Sequence, residues 1–176
     1  MAGTNEVVGV LAGTYTEEVT WPAVVPGITL RGASQSTAIL NGANTVQCLK
    51  IPIPAVNPQV ITIESMTISG GRAYDGAAIE VIENDITLHI DDCMFDGNNA
   101  TMEGGAIRTN NDDDILVIEN STFQNNSAND GGAMLIRGPL LMTHSTIYNN
   151  TASNNGAILL RNIGTTPLVY MYSVLI

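Results

Sequence analysis

The sequence predicts an all-β fold, a right-handed parallel β-helix with about 24–28 residues per coil. Three observations carry this prediction: two motifs that recur with one period, a period-two alternation of apolar residues inside each copy, and 17 Gly with 18 Asn in 176 residues. Gly and Asn favour turns over helix interiors. We therefore expect short strands joined by tight turns.

The first motif is a strand-like segment that occurs four times. The copies VITIESMTISGG, TLHIDDCMFDGN, ILVIENSTFQNN and PLLMTHSTIYNN begin at Val60, Thr87, Ile115 and Pro139. Their ninth positions form one apolar column with intervals of 27, 28 and 24 residues: Ile68, Phe95, Phe123 and Ile147. A repeat of this length is typical of a solenoid.

The second motif is glycine-rich and follows each copy of the first. It reads GAAI at Gly76, GGAI at Gly104, GGAM at Gly131 and NGAI at Asn155, with intervals of 28, 27 and 24 residues. The paired glycines, Gly104-Gly105 and Gly131-Gly132, suit positive φ or close approach between coils, and Gly156 stands alone after Asn155 in the fourth copy. Because two independent motifs keep one period, the coils should stack in register.

Apolar residues alternate within each copy, as Leu88 and Ile90 do, which indicates strands with one face inward. We expect three short strands per coil, each pairing in parallel with its equivalent one coil away. A leucine-rich repeat is the nearest alternative. Its outer arc of leucines is replaced here by paired glycines and another alternating strand, which favours the β-helix.

A column of amides follows the aromatic column at a distance of three residues. In a stacked solenoid such side chains can bond to one another as a ladder and satisfy amides buried at a sharp turn. Two residues further on, a column of alanines is small enough to lie beneath that turn. The columns are Gly71, Asn98, Asn126 and Asn150, and Ala73, Ala100, Ala128 and Ala152.

Length and charge limit the classes of function. We expect residues 1–176 to form a single β-helix domain, with clear repeats over 60–162, and to be a fragment of a longer solenoid because both ends read as incomplete coils. The net charge of −11 argues against a nucleic-acid partner. No Lys or Arg precedes Arg31, so residues 1–25 are not expected to be a signal peptide, and the apolar stretch 167–176 is expected to be too short to span a bilayer. Cys48 and Cys93 are expected to be buried free thiols.

The alternation of GGA[ILV] with FxxN resembles the passenger domain of the chlamydial-type polymorphic membrane proteins, a family of autotransporter adhesins. GGAI at Gly104 matches, GGAM at Gly131 nearly matches, and FxxN occurs at Phe95/Asn98 and Phe123/Asn126. The resemblance covers residues 60–162. It implies an extracellular or bacterial cell-surface location and adhesion without catalysis.

We therefore expect a non-enzymatic β-helix that acts as an adhesin, a stalk or an assembly unit. Its partner would be a surface glycan, a protein ligand, or another copy joined through the uncapped ends of the solenoid. No cofactor is expected apart from calcium. Asn110, Asn111 and Asp112, Asp113 and Asp114 offer clustered oxygen ligands for Ca²⁺, although a solvated polar turn explains them as well.

The alternative is a polysaccharide lyase or glycoside hydrolase of the pectate-lyase-like type, which shares this scaffold. Glu64, Asp91 and Glu119 form one outward column, and two acids on neighbouring rungs would lie about 5 Å apart, the separation of a retaining glycosidase. A second grouping places Arg72 and Asp75 one coil from Asp96 and Asn99.

Overall fold

The computed structural model describes residues 6–21, 27–52, 59–82, 85–161 and 169–176. These residues form β-strands and turns, with no helix. The strands, in chain order, are β1 Glu6–Val10, β2 Gly13–Tyr15, β3 Val19–Thr20, β4 Ile28–Gly32, β5 Ala38–Asn41, β6 Leu49–Ile51, β7 Gln59–Glu64, β8 Thr67–Ser69, β9 Arg72–Asp75, β10 Ile79–Val81, β11 Ile86–Asp91, β12 Met94–Asp96, β13 Asn99–Glu103, β14 Ile107–Thr109, β15 Ile115–Glu119, β16 Thr122–Gln124, β17 Ser127–Asp130, β18 Met134–Ile136, β19 Leu140–Thr143, β20 Thr146–Tyr148, β21 Thr151–Asn155, β22 Ile158–Leu160 and β23 Val169–Tyr172.

Equivalent strands of successive coils pair in parallel and form four sheets, named here in the order in which the chain visits them. The first sheet runs β1-β4-β7-β11-β15-β19-β23, and the second runs β2-β5-β8-β12-β16-β20. The third is β9-β13-β17-β21, and the fourth is β3-β6-β10-β14-β18-β22. The chain is thus a parallel β-solenoid, which confirms the predicted fold class.

The prediction of three strands per coil is wrong for the coils from β7 onward, which have four. The additional strand belongs to the third sheet. Each of its strands turns one alanine toward the solenoid, such as Ala100 on β13 or Ala128 on β17, and its other positions are polar except Tyr74 and Met102. An alternation built on alanine gives no visible apolar pattern, so the sequence reads as a turn.

The core consists of apolar columns that stack rung upon rung. Phe95 pairs in register with Ile68 on one side and with Phe123 on the other, and Phe123 pairs with Ile147. The two phenylalanine rings are fully buried and stack in parallel planes, with centroids 4.6 Å apart. Each ring therefore covers its neighbour and excludes water from the interior.

An amide ladder closes the corner between the second and third sheets. Asn98 Nδ2 donates to Asn126 Oδ1 at 3.0 Å, and Asn126 Nδ2 donates to Asn150 Oδ1 at 2.9 Å. The same nitrogens donate to main-chain carbonyls one coil away, at Ile68 and Phe95. Gly71 takes the equivalent place one coil earlier, where its N–H donates to Asn98 Oδ1 at 2.8 Å.

The glycine pairs meet two different requirements at the corner between the third and fourth sheets. Gly104 and Gly131 have φ of +62° and +64°, a region that side chains with a Cβ rarely adopt. Any other residue in place of Gly105 would clash with its neighbours, because a Cβ there would lie 2.0 Å from the Gly132 carbonyl oxygen. Gly156 has open space around its Cα.

The described part of the chain contains no helix of the length and apolar character that a bilayer-crossing segment needs. Of the apolar stretch 167–176, the positions before Val169 lie outside the described residues.

Candidate functional site: the outer face of the third sheet

The predicted enzyme face lies on the outside of the first sheet. Glu64, Asp91 and Glu119 are consecutive register partners on β7, β11 and β15. Glu64 forms an ion pair with Arg31, Asp91 Oδ1 accepts a hydrogen bond from Asn120 Nδ2 at 2.8 Å, and Glu119 is exposed. Glu119 Oε1 accepts from Thr143 Oγ1 at 3.5 Å, so the three acids form a surface column in which each has a polar partner on a neighbouring coil.

The second predicted grouping is separated by the additional strand. Arg72 and Asn99 are register partners in the third sheet, but Asp75 pairs with Glu103 rather than with Asp96. Asp96 lies on the second sheet, where its Oδ1 accepts from Asn125 Nδ2 at 2.8 Å.

The acidic loop of residues 110–114 is arranged around a buried carboxylate. Asp114 Oδ1 accepts from the Ile86 N–H at 3.2 Å, and Asp114 Oδ2 accepts from the Asn111 N–H at 3.3 Å. Burial raises the pKa of Asp114 to about 7. No group of three or more His, Cys, Asp or Glu side chains among the described residues is placed to hold a metal ion. Calcium binding by Asp112, Asp113 and Asp114 stays a prediction.

Both cysteines are buried free thiols. Cys93 holds the position that Ser121 and Ser145 hold in later coils, and the three form a ladder in which the Cys93 N–H donates to Ser121 Oγ and the Ser121 N–H donates to Ser145 Oγ. Burial raises the pKa of Cys93 and of Cys48 to about 12. At neutral pH both remain protonated and poorly nucleophilic.

A cluster of carboxylates around two arginines, which was not predicted from the sequence, lies where the third sheet meets the fourth. Arg108 Nε contacts Glu103 Oε2 at 3.0 Å, and Arg108 Nη1 contacts Glu80 Oε1 at 3.2 Å and Asp75 Oδ2 at 3.6 Å. Arg108 is 13% exposed. The guanidinium thus serves three carboxylates from three strands.

A second arginine extends this carboxylate–arginine cluster along the solenoid. Arg161 pairs with Glu103 and contacts Asp130 Oδ2 at 3.4 Å, while Asp130 Oδ1 accepts from Asn155 Nδ2 at 2.6 Å. Burial raises the pKa of Asp75, and the Arg108 charge and a hydrogen bond from the Glu103 N–H oppose that rise. Each carboxylate of the cluster thus has a partner within the protein.

The sequence does contain a signal for this cluster. An acid directly precedes three of the four glycine motifs: Asp75 before Gly76, Glu103 before Gly104, and Asp130 before Gly131. Register pairing then stacks the three acids in one column. The arginines carry no comparable signal. Arg108 lies on β14 and Arg161 directly follows β22, so both reach the acidic column from the side of the fourth sheet.

The outer face of the third sheet, called here the third-sheet face, presents small uncharged polar side chains on β13, β17 and β21 and two larger side chains, Arg72 and Tyr74, on the edge strand β9. It consists of the outward residues of β9, β13, β17 and β21: Arg72, Tyr74, Asn99, Thr101, Ser127, Asn129, Thr151 and Ser153. The alternate alanines point inward and pack on Ala77 as a small separate core. The third sheet therefore packs on the solenoid through alanines and turns its polar side chains to the solvent.

A groove of about 270 Å³ crosses the third-sheet face. It is lined by Asn99, Thr101, Ser127, Asn129 and Ser153, with Ala100 and Ala128 as its floor. Tyr74 lies on the neighbouring edge strand and is 68% exposed. The groove thus offers hydroxyl and amide groups on three consecutive rungs, with an aromatic ring on the strand beside it.

A more apolar cavity of about 370 Å³ lies at the first coil. Its lining includes Val10, Tyr15, Val19, Leu30 and Leu40, which partly face the interior of the solenoid. Neighbouring positions 22–26 lie outside the described residues. Self-association through the ends of the solenoid stays a prediction.

Comparison of the chain with protein-family models, with curated proteins and with solved structures finds no match. The finding that classifies the chain is therefore its fold, an all-β parallel solenoid of stacked repeats.

Proposed function

We propose that this chain is a non-enzymatic β-helix of an extracellular or cell-surface protein, and that it acts as an adhesin that binds through the third-sheet face. The observation that carries the proposal is the groove on that face, which repeats uncharged polar groups over three rungs. A rigid stack of equivalent rungs holds these groups at fixed spacing, which lowers the entropy lost on binding.

The state of the carboxylates supports binding rather than catalysis. Acid–base catalysis needs a carboxyl group that is free to reach its substrate. Glu80, Glu103 and Asp130 are held by Arg108 or Arg161, and Asp75 is held by Arg108 and by the Glu103 N–H. These contacts hold the acids on the two arginines, and none of the four acids lines the groove.

The repeat motifs support the surface location. GGAI at Gly104, GGAM at Gly131 and the two FxxN motifs resemble those of the polymorphic membrane proteins, whose passenger domains are adhesins. The same regular stack would also serve as a stalk that carries a binding face away from a membrane.

Cell binding with blocked faces tests the proposal. A fluorescent chain is applied to panels of animal and bacterial cells, and compared with Thr101→Arg and Asn129→Arg, which fill the groove with long charged side chains. Thr87→Arg on the first sheet is the matched control. We expect the two groove variants to lose binding and the control to keep it. Binding that survives in both groove variants would contradict the proposal.

A glycoside hydrolase or lyase is the second candidate, because Asp75, Glu103 and Asp130 lie on consecutive rungs beside the groove. The raised pKa of Asp75 is the direction that a general acid requires. Release of reducing ends or unsaturated products from neutral and acidic polysaccharides would favour this candidate. Loss of that activity in Asp75→Asn would place it at the cluster, and loss in Asp91→Ala would place it on the first sheet.

A further inference from the structure

We infer that the third-sheet face binds a neutral glycan chain laid along the solenoid axis, across the rungs. This inference rests on the proposed function and names the class of ligand for the same face. Its contacts would come from Asn99, Thr101, Ser127, Asn129 and Ser153 in the groove and from Tyr74 beside it.

The first support is the chemistry of the groove. Amides and hydroxyls both donate and accept hydrogen bonds, as sugar hydroxyls do. In the described part of the chain, Asn99, Ser127, Asn129 and Ser153 make no side-chain hydrogen bond to another residue, whereas Asn98 and Asn126 are fully engaged in the ladder. The polar atoms of these four groove side chains are therefore available to a ligand, while Thr101 Oγ1 donates to the Ala73 carbonyl at 3.2 Å.

The second support is the spacing. Strands in a sheet lie about 4.7–4.9 Å apart, which is close to the length of one sugar ring in an extended chain. Ser127 pairs in register with Asn99 on one side and with Thr151 on the other. A chain that crosses the rungs therefore meets a similar set of polar groups at each sugar.

The third support is the exposed aromatic ring. Tyr74 is 68% exposed on the edge strand β9, and it is the aromatic residue among the outward side chains of the third-sheet face. An aromatic ring packs well against the C–H face of a sugar, and its hydroxyl can bond at the rim. Tyr74 would thus hold one sugar of the chain at the edge of the groove.

The fourth support is charge, which selects a neutral glycan over an anionic one. Asp75, Glu103 and Asp130 run along the border of the face, and Arg108 and Arg161 are paired with carboxylates. Arg72, on the edge strand β9, is the cation among the outward residues of the face, and the three border acids outnumber it. The four carboxylates of the cluster outnumber its two guanidinium groups. Together with a net charge of −11, this field repels a polyanion.

Titration with defined oligosaccharides tests the inference. The probes are neutral hexasaccharides of β-1,4-linked glucose, xylose and N-acetylglucosamine, with hexagalacturonate as the anionic comparison, measured by calorimetry and by NMR shifts. At least one neutral hexasaccharide should bind, more tightly than its disaccharide and about tenfold or more tighter than hexagalacturonate. Tyr74→Ala should weaken that binding about tenfold.

Tyr148→Ala is the matched control, because Tyr148 is 44% exposed on the second sheet, outside the third-sheet face. It should bind the same hexasaccharide as the parent chain does. The inference is overturned if no neutral hexasaccharide binds, if hexagalacturonate binds best, or if Tyr74→Ala and Tyr148→Ala bind equally well.

The outcomes separate this inference from the proposed function. If Thr101→Arg abolishes cell binding while no hexasaccharide binds, the adhesion face stands and the glycan ligand falls. If a hexasaccharide is cleaved during the titration, the non-enzymatic proposal falls. Cell binding that persists after enzymatic removal of surface glycans would also contradict a glycan ligand.

Discussion

At the corner between the second and third sheets, two consecutive residues in each coil have different structural roles. The first adopts a left-handed conformation, and the second forms the amide ladder. The first position is Gly70, Gly97, Asn125 or Asn149, with φ between +54° and +65°. Gly and Asn are the residues that enter this region at least cost. In the Asn-Asn pairs, Asn125 and Asn149 therefore meet the backbone requirement, and Asn126 and Asn150 form the ladder.

Gly105 tests the close approach at the glycine corner. A Cβ at this position would lie 2.0 Å from the Gly132 carbonyl oxygen and 2.8 Å from the Ser127 main chain. We expect Gly105→Ala to lower the free energy of unfolding by about 3 kcal/mol, because backbone must move. Gly156→Ala is the control, with open space around it, and should change stability by less than about 0.5 kcal/mol. Urea unfolding followed by circular dichroism measures both; equal values would contradict the account.

Asn126 tests the amide ladder. Its Nδ2 donates to Phe95 O and Asn150 Oδ1, and its Oδ1 accepts from Asn98. Asn126→Ala leaves these buried groups without partners, so we expect a loss of about 3 kcal/mol in unfolding free energy. Asn125→Gly, at the exposed left-handed neighbour, should stay close to the parent chain. A similar loss in both variants would show that the ladder adds nothing specific.

Asp114 makes stability depend on pH in a direction opposite to that of most acids. Its folded pKa of about 7 lies above its usual value of 3.8, so the folded state holds a proton that the unfolded state releases between these two values. Stability from this group is therefore present below about pH 4 and is lost as the pH rises toward 7. The full loss is about 4 kcal/mol.

Urea unfolding at several pH values between 4.5 and 8 measures this dependence. Asp114→Asn should remove most of the fall in stability across that range. Asp113→Asn, at the exposed neighbour, should keep most of it. An unchanged pH profile in Asp114→Asn would contradict the assignment.

At the scale of the strand, the sequence predicts elements that bury large side chains and misses those that bury small ones. Leu88 and Ile90 reveal β11, and Phe95 reveals β12. The strand β13 shows Ala100 and the half-buried Met102 among polar residues, which is too little to mark an apolar face. The candidate site lies on that missed sheet, so the groove could not be predicted although every residue that lines it was visible.

Arg108 holds together strands of the third and fourth sheets. We expect Arg108→Gln to lower the unfolding free energy by about 3 kcal/mol near pH 7, because Asp75, Glu80 and Glu103 lose their shared cation. The Arg108 charge lowers the pKa of Asp75, so in the variant this pKa rises, and the deficit should shrink as the pH falls and Asp75 takes up a proton. Arg72→Gln, on the exposed face, should be nearly neutral. A deficit that is independent of pH would contradict an ionic role.

At the scale of the molecule, the repeat period was sufficient to predict which residues share a column. Ile68, Phe95, Phe123 and Ile147 are register partners, as are the acids of the first sheet. The period does not reveal how many strands a coil contains or which side chains meet at the corners between sheets. The carboxylate–arginine cluster joins two sheets at such a corner, so it required the folded chain.

Distances between spin labels on the outer column of the first sheet test the stacking most directly. Labels at Val7, Thr29 and Thr62, each paired with one at Tyr170, are separated by six, five and four rungs. Backbone separations should be about 29, 24 and 19 Å, a step of about 4.8 Å per rung. Pulsed electron paramagnetic resonance measures them. Equal steps in this order are the predicted result, and distances that do not decrease from Val7 to Thr62 would contradict the solenoid.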